Sequence, residues 1–309
     1  MKSSHILIRM VFIEDKGSVF EAPLEVVWKY LFDGEAHDKV HKSTRNPSFK
    51  PISKTSFVYS SERDFDGNWI AESMRQSVFP PLGMSTEWLE GAFAGSKMFY
   101  LYSPKGNNKT QIGVFGDFQS KTIPDSDLEQ SVRKFLEGEY SDDAPAIKDY
   151  AMKSKKANKK ESAVFFKDVG GIFDAPIGVT WKYFFEGGED HENAHAKRSR
   201  NFKFKSVSEG VSVMSQERKK HNRWNGETIQ MTNLAPLGYV FEMLKGPITG
   251  SKFLYIYTPK DNKTHVDVYA YLKSRSIPKD RLTKEVRADL ALDFKEDTLN
   301  LRTFVEKKH

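Results

Sequence analysis

Phe173-Asp174-Ala175-Pro176-Ile177-Gly178-Val179-Thr180-Trp181-Lys182-Tyr183-Phe184-Phe185-Glu186 decides how the chain is read. Residues Phe20-Glu21-Ala22-Pro23-Leu24-Glu25-Val26-Val27-Trp28-Lys29-Tyr30-Leu31-Phe32-Asp33 are the same sentence, met once already. The correspondence continues at a nearly fixed offset. His37 and His41 answer to His191 and His195, Arg45-Asn46 to Arg200-Asn201, Glu62-Arg63 to Glu217-Arg218, and Trp69 to Trp224. Pro81-Leu82-Gly83 answers to Pro236-Leu237-Gly238, Gly95-Ser96-Lys97 to Gly250-Ser251-Lys252, and Asp143 to Asp297. A repeat of about 150 residues is the size of an independent domain and far too long for a solenoid unit. The sequence therefore predicts two copies of one fold, at 1–152 and 162–309, joined by a basic linker at 153–161. Two such copies are expected to pack together as a pseudo-twofold pair, in the manner of a homodimer.

Composition narrows the chemistry. The 309 residues include no cysteine, which excludes disulfides, thiolate catalysis and cysteine-ligated zinc or iron–sulfur clusters. No stretch approaches the ~20 apolar residues of a membrane helix, and the expected location is the cytoplasm. A net charge of +6 is modest for this length, and its acids and bases are interspersed. That pattern reads as a solvated surface rather than a nucleic-acid interface. Aromatic residues make up 13%, enough to line the walls of a core or a pocket with rings.

Within each copy the pattern changes along the chain. Residues 6–20 and 162–173 read as a first strand, kinked at Gly17 and broken at Gly170-Gly171. Pro23 and Pro176 stand where the first turn of a helix tolerates proline, and Val27, Tyr30 and Leu31 recur at helical spacing after the first of them. Trp28 and Trp181 read as core anchors rather than ligand stackers. A polar segment bearing the histidines predicts a second short helix. From Asn46 to Ile123 the period is two, predicting about six strands, with hairpin turns at Pro104–Asn108 and Pro259–Asn262. In the last strand of the second copy, Val266, Val268, Ala270 and Leu272 share one face, expected to be the buried one. A long amphipathic helix closes each copy, with Asp125 as its expected cap and Leu128, Val132, Phe135 and Leu136 as its stripe.

A strand, an Ala-Pro opening with tryptophan five residues on, a central meander and a terminal amphipathic helix together resemble the SRPBCC superfamily, the START-like or Bet v 1-like helix-grip fold. The resemblance covers both copies almost end to end. It implies an α+β architecture: two tandem helix-grip domains, each a curved antiparallel sheet wrapped on a long C-terminal helix, with two short helices after the first strand. Members include lipid carriers, hormone receptors, aromatase/cyclases, chaperone activators and ring-hydroxylating oxygenase subunits, so the fold does not select a function.

His37-Asp38-Lys39-Val40-His41 and His191-Glu192-Asn193-Ala194-His195 are the sharpest local signal. On a helix, residues four apart share a face, so both imidazoles of each pair could ligate one zinc-like divalent metal. Glu62/Glu217 or Glu87/Glu242 are the candidate third ligands. The second segment also matches the zincin motif, but its helix is polar nearly all round, which argues against a protease. The plainer reading of the same segments is exposed histidines on a polar helix. Candidate ligand-binding residues are Arg45, Glu87, Tyr100 and Tyr102, with Arg200, Glu242, Tyr255 and Tyr257 in the second copy. Facing a cavity, they would suit a carboxylate, phosphate or enolate oxygen; the alternative is an outward ion pair beside core rings.

The leading expectation is a binding module that holds a small, largely apolar molecule between sheet and helix of each domain. A cyclase, lyase or hydrolase using the histidines, and a chaperone-activator-like interaction protein, are the rivals. A binder predicts a closed apolar cavity with histidines outside it. An enzyme predicts histidines inside a pocket beside Glu or Arg.

Overall fold

A computed structural model describes residues 11–37, 39–65, 67–106, 108–154, 163–186, 194–220 and 222–306. The chain divides into two units, Met1–Lys160 and Glu161–His309. The linker residues 155–161, and His191 with its neighbours, lie outside the described residues. Among the described residues no helix is long and apolar enough to cross a membrane.

The first unit opens with β1 (Val11–Asp15) and β2 (Val19–Phe20), then α1 (Leu24–Leu31) and α2 (Gly34–His37). Six strands follow: β3 (Thr44–Pro51), β4 (Ser56–Phe65), β5 (Asn68–Phe79), β6 (Gly83–Glu90), β7 (Lys97–Pro104) and β8 (Thr110–Phe118). The helix α3 (Asp125–Lys153) closes it. The sheet order is β1-β8-β7-β6-β5-β4-β3, antiparallel throughout, with β2 also on β8. The break between β1 and β2 is built by Gly17, whose φ of 57° leaves no room for a Cβ against the Ile112 carbonyl.

Helix α1 begins where proline allows it. Pro23 is the N-cap, and its carbonyl accepts from the N–H groups of Val26 and Val27 at 2.9 and 3.1 Å. The helix then buries Val26, Val27, Trp28 and Tyr30. On α3, Leu128, Val132, Leu136 and Ile147 form one stripe in the same core as Met74, Trp88, Met98 and Phe118 of the sheet. A long helix held in the curve of an antiparallel sheet is the helix grip.

The second unit repeats the plan with β9 (Val164–Phe173), α4 (Ile177–Glu186), β10 (Ser199–Ser208), β11 (Val211–Lys220), β12 (Arg223–Asn233), β13 (Gly238–Lys245), β14 (Lys252–Lys260), β15 (Lys263–Leu272) and α5 (Lys279–Glu306). Its order is β10-β11-β12-β13-β14-β15-β9. Here β9 runs unbroken, and the register shift opposite Val266 and Val268 takes up the irregularity at Gly170-Gly171.

Three local expectations are corrected. The cap of α3 is Pro124, not Asp125, which is the first helical residue and makes no capping bond. The second short helix of the first unit ends at His37, so His41 lies on the turn beyond it. In β15 both faces are covered: Tyr269 and Tyr271 are also buried, with Tyr271 packed on Phe165 and Lys167 over the Tyr269 ring.

Candidate functional site

The first unit encloses a cavity of about 370 Å³ between its sheet and α3. Aromatic rings make much of its wall, among them Trp28, Trp88, Tyr100, Tyr102 and Tyr140. Phe49, which also lines it, is half exposed and packs against Phe57 and Tyr59, both likewise in the wall. Trp28 is thus both buried anchor and cavity wall, its indole N–H fixed by the Pro81 carbonyl at 3.0 Å. Strand alternation sorts β6 and β7: Met84, Thr86 and Trp88, like Met98, Tyr100 and Tyr102, turn to the cavity.

At one side of this space stand His37, His41, Glu139 and Asp143 with Arg63. The two histidine Nε2 atoms are 3.2 Å apart. Asp143 Oδ1 lies 3.7 Å from the first and 3.6 Å from the second, and accepts the Tyr30 hydroxyl at 3.0 Å. Arg63 donates to Glu72 and to Glu139, both at 2.8 Å. Burial, with the charge of His41, lowers the His37 imidazole to about 4, so that ring is neutral at neutral pH. Burial raises the Asp143 carboxyl to about 6, against the pull of His41. For Glu139 burial pushes upward too, but the Arg63 guanidinium outweighs it and holds the acid below its ordinary value. A neutral imidazole within 4 Å of a carboxyl group sets an acid–base pair at the cavity wall.

Buried polar atoms of the first unit mark the same space. His41 Nδ1, Thr44 Oγ1, Thr86 Oγ1 and Trp88 Nε1 make no hydrogen bond within the protein, and all four residues line the cavity. A buried donor left unpaired is costly, about 1–3 kcal/mol.

Among the described residues of the second unit, larger rings stand in the equivalent space. Tyr239 and Phe241 stand at the positions of Met84 and Thr86, Phe294 at Tyr140, and Phe184 at Leu31. Tyr239 packs on Tyr255 at 4.6 Å, on Phe241 at 4.5 Å and on Phe185 at 5.6 Å between ring centroids. Phe294 lies over Gly170 and Gly171, where a Cβ on Gly170 would meet its ring at 2.7 Å. Among the described residues a pocket of about 100 Å³ lies beside Arg218, Phe241 and Val286. His195 sits among carboxylates of α5, with Nδ1 2.8 Å from Glu296 Oε2 and Nε2 3.1 Å from Asp297 Oδ1. Burial opposes its protonation, but the Asp297 hydrogen bond and neighbouring acids raise it to about 9. Arg198 also enters this cluster, 2.6 Å from Asp293 Oδ1 and 2.7 Å from Glu296 Oε2, and Arg218 binds Asp293 at 2.8 Å.

The expected site residues therefore separate. His37, His41, Tyr100 and Tyr102 come together at the cavity. Tyr255 and Tyr257 are core rings, and burial raises their hydroxyls well above the usual range. Glu87 and Glu242 are not in the cavity walls; they face outward, each 3.5 Å from a cross-strand lysine, Lys97 and Lys252. Arg45 and Arg200 are outside as well. Arg45 and Asn46 both donate to Glu62 Oε2, at 2.8 and 2.7 Å, and the guanidinium covers Trp69 at 4.2 Å. The second copy repeats this with Glu217 and Trp224. Asn46 and Asn201 have φ of 53° and 57° at register shifts of β3 and β10, so this group clamps a β-bulge. Glu62 and Glu217, committed to that clamp, are not beside the histidines. The acid that is beside them, Asp143, was visible only as one more matched pair with Asp297. Lying off the apolar stripe of a helix, it carried no motif of its own.

No protein-family profile matches the sequence, and no curated protein does. In architecture the chain is similar to the di-domain ARO/CYC StfQ from the steffimycin biosynthetic pathway, at 9% identity over 96% of this chain and 99% of that one, with a TM-score of 0.42. It is similar to the di-domain ARO/CYC BexL from the BE-7585A biosynthetic pathway, at 11% identity, 96% and 98% coverage and a TM-score of 0.41. A single copy is similar to the Zhui aromatase/cyclase from Streptomyces sp. R1128, at 16% identity over 47% of this chain and 94% of that one, TM-score 0.38. The chain has a tandem helix-grip fold, as its own strand order and terminal helices define it.

Proposed function

We propose that the first unit binds one small, largely apolar molecule that carries a few oxygen functions, and that the second unit does not. The observation that carries this reading is the cavity with its four unpaired polar atoms. An apolar body fits the ring-lined wall, while oxygen acceptors meet Trp88 Nε1 and the threonine hydroxyls. The expectation of one ligand in each domain is thereby revised, since Tyr239, Phe241 and Phe294 occupy the second space.

A second reading is catalysis in the same cavity. It is favoured by the orientation of the histidines: His37 and His41 line the pocket beside Asp143, Glu139 and Arg63, the arrangement expected of an enzyme rather than a passive carrier. Binding and catalysis share the cavity, so binding is tested first.

The test transplants the filled copy into the open one. Full-length protein is titrated with 1-anilinonaphthalene-8-sulfonate, with native mass spectrometry reading the stoichiometry. The expected result is one equivalent per chain, lost in the Met84→Tyr/Thr86→Phe variant. Binding that survives the double variant, or two equivalents per chain, sinks the proposal.

A further inference from the structure

The geometry points to a mononuclear divalent-metal centre in the first unit, held by His37 Nε2, His41 Nε2 and Asp143 Oδ1, with its remaining coordination positions turned to the cavity. These atoms lie within 4.8 Å of one another. Their separations of 3.2, 3.6 and 3.7 Å define a point about 2.0 Å from each. That is the length of a zinc–nitrogen or zinc–oxygen bond, about 2.0–2.2 Å. Two imidazoles that present Nε2 to each other at 3.2 Å can place only one proton between them. A cation gives both lone pairs and the carboxylate oxygen a common partner.

The surroundings fit. The hydroxyl of Tyr30 donates to Asp143 Oδ1 and orients it as an outer-shell partner does. Ligation through Nε2 places the remaining proton of His41 on Nδ1. That atom is buried, has no hydrogen bond within the protein, and has Asp142 and Glu139 oxygens at 3.7 and 3.8 Å. An imidazole N–H facing a carboxylate is the usual outer shell of a metal-bound histidine. The charges fit too. Among the described residues, three carboxylates, Glu139, Asp142 and Asp143, border the histidines, and the Arg63 guanidinium beside them is shared with Glu72. A dication offsets the excess. In the second unit Asp293 and Glu296, the counterparts of Glu139 and Asp142, are both bound by Arg198, with Arg218 also on Asp293, so that cluster has a further cation in the chain itself.

Two imidazoles and one carboxylate suit borderline first-row dications, zinc or iron(II), over magnesium or calcium. Three protein ligands leave a coordination position free, and all three residues line the apolar cavity. The centre therefore takes an apolar molecule through an oxygen donor, a phenolate, enolate or carboxylate. This ligand half rests on the cavity reading above, whereas the cation does not.

The experiment uses the full chain, stripped with chelator and reloaded with Zn²⁺, with anaerobic Fe²⁺ in a parallel arm. Elemental analysis and the visible bands of the Co²⁺-substituted protein are the readouts. We expect one equivalent per chain. His41→Gln/Asp143→Asn should weaken uptake by more than the roughly 10–100-fold that loss of an outer-shell partner costs, while His195→Gln leaves it unchanged. His37→Gln, at a less buried ring, carries the same test should the double variant not fold. No metal in folded wild type, or uptake unchanged by these substitutions, overturns the centre. Met84→Tyr/Thr86→Phe separates the two claims, because it removes the fluorophore site and leaves the metal ligands in place.

Discussion

At the scale of single residues, repetition in the sequence flagged both what matters and what merely holds shape. Arg45 and Arg63 each have a counterpart in the second copy, and nothing in the sequence distinguishes their roles. The structure does. Arg63 is buried and joins Glu72 on the sheet to Glu139 on α3, whereas Arg45 lies on the surface over Trp69. Replacing Arg63 by methionine leaves two carboxylates buried without their cation, and such losses cost about 3–5 kcal/mol. Urea unfolding followed by tryptophan fluorescence should show that loss, whereas Arg45→Ala should leave the midpoint close to wild type. A small effect at Arg63 would mean that the link between Glu72 and Glu139 is not a structural one. The histidines were legible because they recur at matching positions. The i, i+4 argument predicted their convergence correctly but on the wrong element, since α2 stops at His37 and the turn that follows brings His41 round.

Elements bring these residues into one place. Helix α3 contributes Glu139 and Asp143 one turn apart, and α5 contributes Asp293 and Asp297 at the same spacing. In the second unit that acidic face is met by His195, Arg198 and Arg218, which makes the grip of α5 dependent on pH. His195 is raised from 6.5 to about 9, because the Asp297 hydrogen bond and the nearby acids outweigh its burial. A histidine whose folded-state pKa is raised adds stability that is complete below its unfolded value and disappears as the pH passes the folded one. The second unit should therefore lose up to about 3 kcal/mol between pH 6.5 and 9. His195→Gln should flatten that slope. A parallel slope in the variant would assign the pH dependence to other groups. The helix–strand order itself was readable from the Ala-Pro openings and the change of period at Asn46. The end of α2 was not, because a polar turn and a polar helix have the same composition.

Over the whole molecule, the duplicated sequence leads one to expect two equal sites, whereas among the described residues the space is about 370 Å³ in the first unit and about 100 Å³ in the second. Periodicity cannot see this difference. Met84 and Tyr239, or Thr86 and Phe241, fall on the same inward positions of the same strand and satisfy the same pattern. Only the summed volume facing the helix separates a cavity from a core, and that sum comes from three strands and two helices at once. The difference has a thermodynamic sign that does not depend on any ligand. Larger side chains placed in a real void add contacts and typically gain about 0.5–2 kcal/mol, whereas the same side chains forced into a packed core cost about 1–3 kcal/mol. Met84→Tyr/Thr86→Phe should thus unfold at higher urea than the parent protein. The converse change, Tyr239→Met/Phe241→Thr, removes rings packed at 4.5 Å and should lose several kcal/mol, on the order of 3–5. Opposite signs for the two exchanges would assign binding to the first unit and scaffolding to the second. Equal destabilisation by both would mean that each unit is already closed, and the first would then hold no ligand.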